Sequence, residues 1–172
     1  MTIDGYPAAV GFALVAAIGA APAWAALAPA VGGVAAFGAY LLVASVLFVA
    51  FLAPGPVVAS RVGLVAGGMG LVAAWVSRQP WELAICAGLI VGIGRWTLCQ
   101  WGPFWARLAL EACLMSMAIL MVPLFVTEWS PVRVGMAIWG FFLVEGLYFL
   151  FERWLLSFEP PPREATPGEA RP

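Results

Sequence analysis

The feature that most constrains this chain is an almost unbroken apolar stretch from Pro7 to Trp154, in which charged residues are few and, apart from Glu152 and Arg153, stand apart from one another. A helix needs about 20 apolar residues to cross a bilayer core. Of the 172 residues, 64% are hydrophobic and 10% are charged, and the mean hydropathy is +1.00. A soluble domain of this length needs far more surface charge. The sequence therefore predicts a polytopic integral membrane protein with an all-α fold.

Proline, glycine, tryptophan and arginine residues mark the ends of six predicted transmembrane helices joined by short turns. Turns this short favour antiparallel neighbours in one bundle. The predicted domains are a six-helix membrane domain, residues 1–158, and a disordered, Pro-rich cytoplasmic tail, residues 159–172. The helices are predicted to run from Pro7 to Leu27, from the turn made by Ala28-Pro29-Ala30 with Gly32-Gly33 to about Ala53, from Val57 to Ser77, from Trp81 to Gln100, from the Trp101-Gly102-Pro103 turn to Val126, and from Val132 to Leu155.

The distribution of arginine predicts the orientation. With six crossings, one side of the membrane holds six arginines and the other holds two, and the richer side is expected to be cytoplasmic. We therefore expect a bacterial inner-membrane protein with both termini in the cytoplasm. The first helix is expected to be retained rather than cleaved, because the segment before it contains Asp4 and no positive charge. The richer side holds Arg61, Arg95, Arg107, Arg153, Arg163 and Arg171, and the other holds Arg78 and Arg133.

Charged residues deep in a predicted helix are the candidates for a functional site, because an isolated charge in a bilayer is costly. At 1.5 Å per residue, Glu145 lies roughly 18 Å past Arg133, and Arg95 lies roughly 21 Å past Trp81. Glu111 falls at a similar depth when counted from the opposite end of its helix. We therefore expect these charges to gather in the inner half of the membrane.

Arg107 precedes Glu111 by four residues and shares its helix face. The predicted intramembrane cluster thus contains Arg95, Arg107, Glu111 and Glu145, whose formal charges sum to zero. Two interpretations remain open. The cluster is either a polar cavity that binds a small solute, a proton or a partner helix, or an ion-pair clasp that joins three helices.

Small residues at four-residue spacing indicate close helix packing or partner faces. Most are expected to pack within the chain, and the alanine strip of the first helix is the better candidate for an outside partner because that helix carries no charge. The three sets are Ala9, Ala13, Ala17 and Ala21 in the first helix, Gly63 and Gly67 in the third, and Gly88 and Gly92 in the fourth.

Several function classes find no support in the sequence. There is no histidine, so the nucleophile–His pairs and the common zinc sites are excluded. Cys86, Cys99 and Cys113 stand too far apart along the chain for a C-x-x-C motif and are expected to be buried apolar thiols. No basic cluster suits a nucleic acid. We expect neither an enzyme nor a bound cofactor or metal.

The organisation from Ala53 to Leu155 resembles one superfamily of small six-helix membrane proteins. The matching features are Pro54-Gly55-Pro56, the Gly-rich helix from Gly63 to Gly70, the Gln79-Pro80 turn, and the last helix ending at Glu152-Arg153. This superfamily contains the rod-shape-determining protein MreD and the S components of energy-coupling-factor transporters.

For S components, the resemblance implies that the first-helix alanine strip docks on a membrane subunit. The chain departs from the MreD pattern, because its third helix lacks the acidic residue usual there. It also carries no ligand-binding signature of an S component.

The resulting expectation is a non-enzymatic inner-membrane subunit that assembles with other integral membrane proteins, with cell-wall elongation machinery as the complex that the MreD resemblance implies. The alternative is a small-solute transporter or substrate-binding subunit built around Arg95, Glu111 and Glu145.

Overall fold

Lipid offers the backbone no hydrogen-bond partners, so an apolar chain of this kind satisfies its own amides by forming helices. A computed structural model describes residues 5–77, 79–98 and 103–156. Over these ranges the chain forms six α-helices and no strand, which confirms the predicted all-α fold. The helices are α1 Gly5–Val31, α2 Gly33–Leu52, α3 Pro56–Val76, α4 Pro80–Leu98, α5 Phe104–Phe125 and α6 Pro131–Leu156.

Five helices in this described part are long and apolar enough to cross a membrane; the apolar run of α3, Pro56–Val72, is shorter. α3 as a whole has 21 residues, which gives about 31 Å of helix. The chain is therefore a multi-pass membrane protein. The predicted tail, residues 159–172, lies outside the described residues, as do Arg78, Cys99, Arg163 and Arg171.

Proline at the first helical position sets the start of three helices. Pro56, Pro80 and Pro131 begin α3, α4 and α6, each one residue before the predicted start. Proline suits this position because its fixed φ is helical and its missing N–H would have no partner in the first turn.

The end of α1 differs from the prediction. The predicted turn combines Ala28-Pro29-Ala30 with Gly32-Gly33, but α1 continues through Pro22 and Pro29 to Val31, so only the glycine part of that turn breaks the helix. The break falls at Gly32, which has a φ of 87° and whose amide donates to the Ala28 carbonyl over 2.9 Å. A positive φ is accessible to glycine at little cost. Each proline removes only one amide donor from the helix, and neighbouring helices support such positions in membranes.

The first and last helices close the bundle. α1 packs against both α2 and α6, and Gly5 at its start lies against the Phe149 ring. At the opposite end, the Trp24 and Trp129 rings stack with centroids 6.4 Å apart. The Trp24 indole also donates to the Gly33 carbonyl over 3.0 Å. α1 and α6 are therefore antiparallel, and the two termini of the bundle lie at the same end.

Alanines form the face that α1 presents to the bundle. The buried set is Ala9, Ala13, Ala16 and Ala20, whereas the predicted strip, Ala9, Ala13, Ala17 and Ala21, leaves Ala17 and Ala21 only half-buried. Four residues advance by about 400° at 100° per residue, so a strict four-residue strip winds around the helix by about 40° per step. Alternating steps of four and three keep to one face.

This face packs on α6 rather than on an outside partner. A Cβ placed on Gly146 would lie 3.0 Å from the Ala9 Cβ, and one on Gly135 would lie 3.1 Å from the Ala17 carbonyl oxygen. Small residues on both helices therefore allow their backbones to approach closely, as expected where lipid removes most of the hydrophobic drive for association.

α3 is the peripheral helix of the bundle. It contacts α2 and α4, and Ala66 is the one buried hydrophobic residue among the α3 side chains that the structure describes. Leu64, Leu71 and Trp75 are 76–82% exposed, which suits side chains that face lipid or a partner. A Cβ on Gly63 or Gly67 would meet no atom within 4 Å.

Close packing between α2 and α4 can be tested at Gly94. A Cβ there would overlap Cγ1 of Val49 and lie 2.7 Å from its Cγ2, and a β-branched valine has little freedom to move away. We expect Gly94→Ala to lower the free energy of unfolding by about 1–3 kcal/mol, measured by thermal unfolding in detergent.

Gly11→Ala is the matched control, because the added methyl group meets nothing within 4 Å. It should leave stability unchanged or raise it by about 0.5–1 kcal/mol through helix propensity. Combining Gly94→Ala with Val49→Ala should restore part of the loss. Equal effects of Gly94→Ala and Gly11→Ala would contradict the packing described.

Candidate functional site: a buried Arg–Glu–Glu cluster

Three helices each bring one charged side chain to the same point inside the bundle. Arg95 comes from the last turn of α4, Glu111 from the second turn of α5, and Glu145 from the middle of α6. Arg95 and Glu145 have no exposed surface, and the Glu111 side chain is 13% exposed. The three residues that the sequence places at a similar depth are thus in direct contact. We call these three residues the Arg–Glu–Glu cluster.

Arg95 and Glu111 form a bidentate pair. The Arg95 Nε donates to Glu111 Oε1 over 3.1 Å, and Nη2 donates to Glu111 Oε2 over 2.5 Å. A planar guanidinium matches a carboxylate in this two-point arrangement, which fixes orientation as well as distance. The pair therefore joins α4 to α5 with a defined geometry.

Glu145 contributes both a side chain and a backbone carbonyl to the cluster. Arg95 Nη1 donates to the Glu145 carbonyl oxygen over 2.7 Å, and Nη2 lies 2.6 Å from Glu145 Oε2. That second contact is a close ion pair. Among the described residues, neither carboxylate oxygen of Glu145 has a hydrogen-bond partner. Glu145 is therefore held by charge and is poorly satisfied by hydrogen bonds.

Two glycines of α4 lie beside the carboxylates. Gly88, Gly92 and Arg95 share one helix face, at spacings of four and three. A Cβ on Gly92 would lie 3.4 Å from Glu111 Oε2, and one on Gly88 would lie 2.9 Å from Met115 Cγ and 3.9 Å from Glu145 Oε1. This pair of small residues, predicted as a packing face, packs within the chain against α5 and the cluster. Larger side chains would crowd the elements that place the two glutamates.

Arg107, the fourth residue of the predicted cluster, is buried against Trp96. Its Nη2 donates to the Trp96 carbonyl over 3.1 Å, and its Cζ lies 4.5 Å from the centroid of the indole ring, a distance typical of a cation–π contact. Arg107 thus links α5 to α4 one helical turn from Glu111.

Tyr148 completes the surroundings of Arg95, although the sequence reasoning missed it. The Arg95 Cζ lies 4.7 Å from the centroid of the Tyr148 ring, and Tyr148 is 1% exposed. The available signal was the three-residue spacing from Glu145, which places both side chains on one face of α6. A tyrosine there offers its ring face to the guanidinium.

Metal-binding chemistry finds no constellation within residues 5–77, 79–98 and 103–156: no group of three His, Cys, Asp or Glu side chains is placed to hold an ion. Cys86 is half-buried and Cys113 is exposed, and the Cys86 Sγ lies 3.6 Å from the Ser77 hydroxyl. The expectation of buried thiols thus does not hold for Cys113, whose position on α5 faces outward from the bundle.

Comparison with protein-family models, with curated proteins and with solved structures gives no match to this chain. Its function must therefore be inferred from the sequence and from the geometry of the bundle.

The geometry of the cluster predicts that replacing Arg95 destabilises the bundle much more than replacing Arg133 does. Arg95→Gln leaves two buried carboxylates without their guanidinium, and removal of one member of a buried ion pair costs about 3–5 kcal/mol. Arg133 pairs with Glu128 over 3.4 Å, with side chains 39% and 79% exposed, and an exposed pair contributes about 1 kcal/mol or less.

Thermal unfolding of Arg95→Gln and Arg133→Gln in the same detergent measures this difference. A triple variant that combines Arg95→Gln, Glu111→Gln and Glu145→Gln should be more stable than Arg95→Gln alone, because it leaves no uncompensated buried charge. Similar losses for both single arginine variants would show that the cluster does not hold the bundle together.

Proposed function

We propose that this protein is a non-enzymatic integral membrane subunit that serves as an assembly partner in a larger membrane complex. The observation that carries the proposal is a difference between two parts of the bundle. The charged side chains between α4, α5 and α6 bind one another, whereas α3 has an open face that contains Gly63 and Gly67. The surface toward the membrane is then the part of the molecule that is available for recognition.

The interior charges are occupied with one another. The Arg95 guanidinium contacts Glu111, Glu145 and the Tyr148 ring. Two cavities of about 590 Å³ and 200 Å³ are lined by other residues, the first around the Gly32 turn and the second between α3 and α4. This arrangement supports the interpretation of the cluster as a clasp between helices.

The face of α3 supports a docking role better than the alanine strip of α1 does. Ala9 and Ala13 have no exposed surface, since α6 covers them. Gly63 and Gly67 meet no atom within 4 Å, and a small-x-x-x-small pair lets a second helix approach closely. The preferred partner face thus moves from α1 to α3.

The resemblance to MreD motivates a more specific proposal, in which the complex belongs to the cell-wall elongation machinery of a bacterial inner membrane. The excess of arginine at the end of the bundle that holds both termini supports a cytoplasmic location for that end. Affinity purification of the tagged chain in mild detergent, followed by mass spectrometry, tests this identity directly.

Substitution on α3 tests the assembly role. Gly67→Leu should leave thermal stability unchanged or raise it slightly through helix propensity, because no atom lies within 4 Å of the new Cβ, and it should release the chain from its complex. We expect the wild-type chain to migrate in native electrophoresis as one discrete assembly larger than a monomer. In the variant, the association constant of that assembly should fall about tenfold or more, which corresponds to about 1.4 kcal/mol.

Gly11→Leu is the matched control on α1, where the added side chain also meets open space; it should leave the assembly intact. A wild-type chain that is monomeric and partner-free in mild detergent would contradict the proposal. So would equal behaviour of the two leucine variants.

A second candidate function, a small-solute or proton carrier, is favoured by one observation. Glu145 Oε1 is fully buried and has no hydrogen-bond partner among the described residues. Two carboxylates also share the single guanidinium of Arg95. An incompletely satisfied carboxylate of this kind is a common element of intramembrane proton and ion pathways.

Glu145→Gln separates the two functions, because it keeps the side-chain shape and removes the charge. Loss of solute or proton uptake into proteoliposomes with the complex intact would favour the carrier. Loss of the complex with unchanged uptake would favour assembly. Glu128→Gln, at an exposed position outside the bundle interior, should change neither.

A further inference from the structure

A shallow apolar groove runs between α3 and α4. It encloses about 200 Å³ and begins at Arg61 and Thr97, where α3 starts and α4 ends. The Thr97 hydroxyl donates to the Gly94 carbonyl over 2.8 Å, so it is satisfied within its own helix. The wall of the groove is formed by Val62, Val65, Ala66, Met69, Ile90 and Ile93.

The length of the groove corresponds to one leaflet. Arg61 and Met69 are eight residues apart, which is about 12 Å along α3. Ile90 and Thr97 are seven residues apart, which is about 10 Å along α4. Half of the hydrocarbon core is about 15 Å thick. A partner helix would need a groove through both leaflets, whereas a single acyl chain from one leaflet fits this length.

Arg61 provides the polar end of the groove. It is exposed and lies five residues into α3, about 7.5 Å from the first residue of the helix, within reach of the headgroup region for a long side chain. No salt bridge to Arg61 is present among the described residues. A guanidinium of this kind binds phosphate oxygens in a two-point arrangement.

We propose that the groove between α3 and α4 is a binding site for one anionic phospholipid, with an acyl chain along Val65 and Ile93 and the headgroup phosphate on Arg61. The apolar wall excludes a polar solute, and the positive charge at the mouth selects an anionic headgroup over a zwitterionic one. The lipid site is independent of the assembly role, since it lies on the α4 side of α3.

Thermal unfolding of the purified full chain in mild detergent tests the headgroup contact, with added phosphatidylglycerol compared with phosphatidylcholine. Phosphatidylglycerol should raise the midpoint more for the wild-type chain. In Arg61→Gln, loss of the charged hydrogen bonds should weaken its apparent affinity roughly ten- to hundredfold. Arg133→Gln is the control, because Arg133 lies at the opposite boundary and already pairs with Glu128.

Filling the groove tests the acyl-chain contact separately. Ala66→Leu should reduce the effect of both lipids while Arg61 remains in place, and Ala109→Leu, at an exposed position on α5, should not. Native mass spectrometry of the same variants counts the retained lipid. Equal stabilisation by the two lipids, or equal losses in Arg61→Gln and Arg133→Gln, would overturn the proposal even if Ala66→Leu proved unstable.

Discussion

The guanidinium of Arg95 lies inside a membrane bundle with no exposed surface, and two carboxylates, a helix carbonyl and an aromatic ring surround it. Isolated in hydrocarbon, this charge would cost several kcal/mol. Because its partners come from α5 and α6, the cost is offset only when α4, α5 and α6 adopt one mutual register. The charge thus favours one arrangement of three helices over others of similar apolar contact, as buried polar groups do in some other systems.

Small residues make that arrangement possible. Helices in lipid gain little from burying apolar side chains against one another, so close backbone approach and polar contacts carry more of the association. Gly88 lets Met115 of α5 approach α4 closely, and Ala9 and Gly146 let α1 lie against α6. Small residues on at least one of two facing helices thus let the helices pack closely, and α3 lies at the periphery of the bundle.

Much of the fold was predictable from local sequence. Apolar runs of one bilayer crossing predict helices because lipid permits few alternatives, and Pro56, Pro80 and Pro131 mark helix starts because proline suits the first turn. The end of α1 was not predictable from Pro29. A proline removes only one backbone hydrogen bond, whereas the positive φ of Gly32 turns the chain out of the helix.

Sequence spacing by itself determined the depth of each charge along the bilayer and the face it occupies on its own helix, which was enough to bring Arg95, Glu111 and Glu145 to one level. Only the tertiary structure decided which faces meet. The rotation of each helix about its axis buries Ala16 and Ala20 and leaves Ala17 and Ala21 half-buried, sets Arg107 against Trp96, and places Tyr148 beneath Arg95. Rotation and tilt depend on all neighbouring helices at once, and no local pattern encodes them.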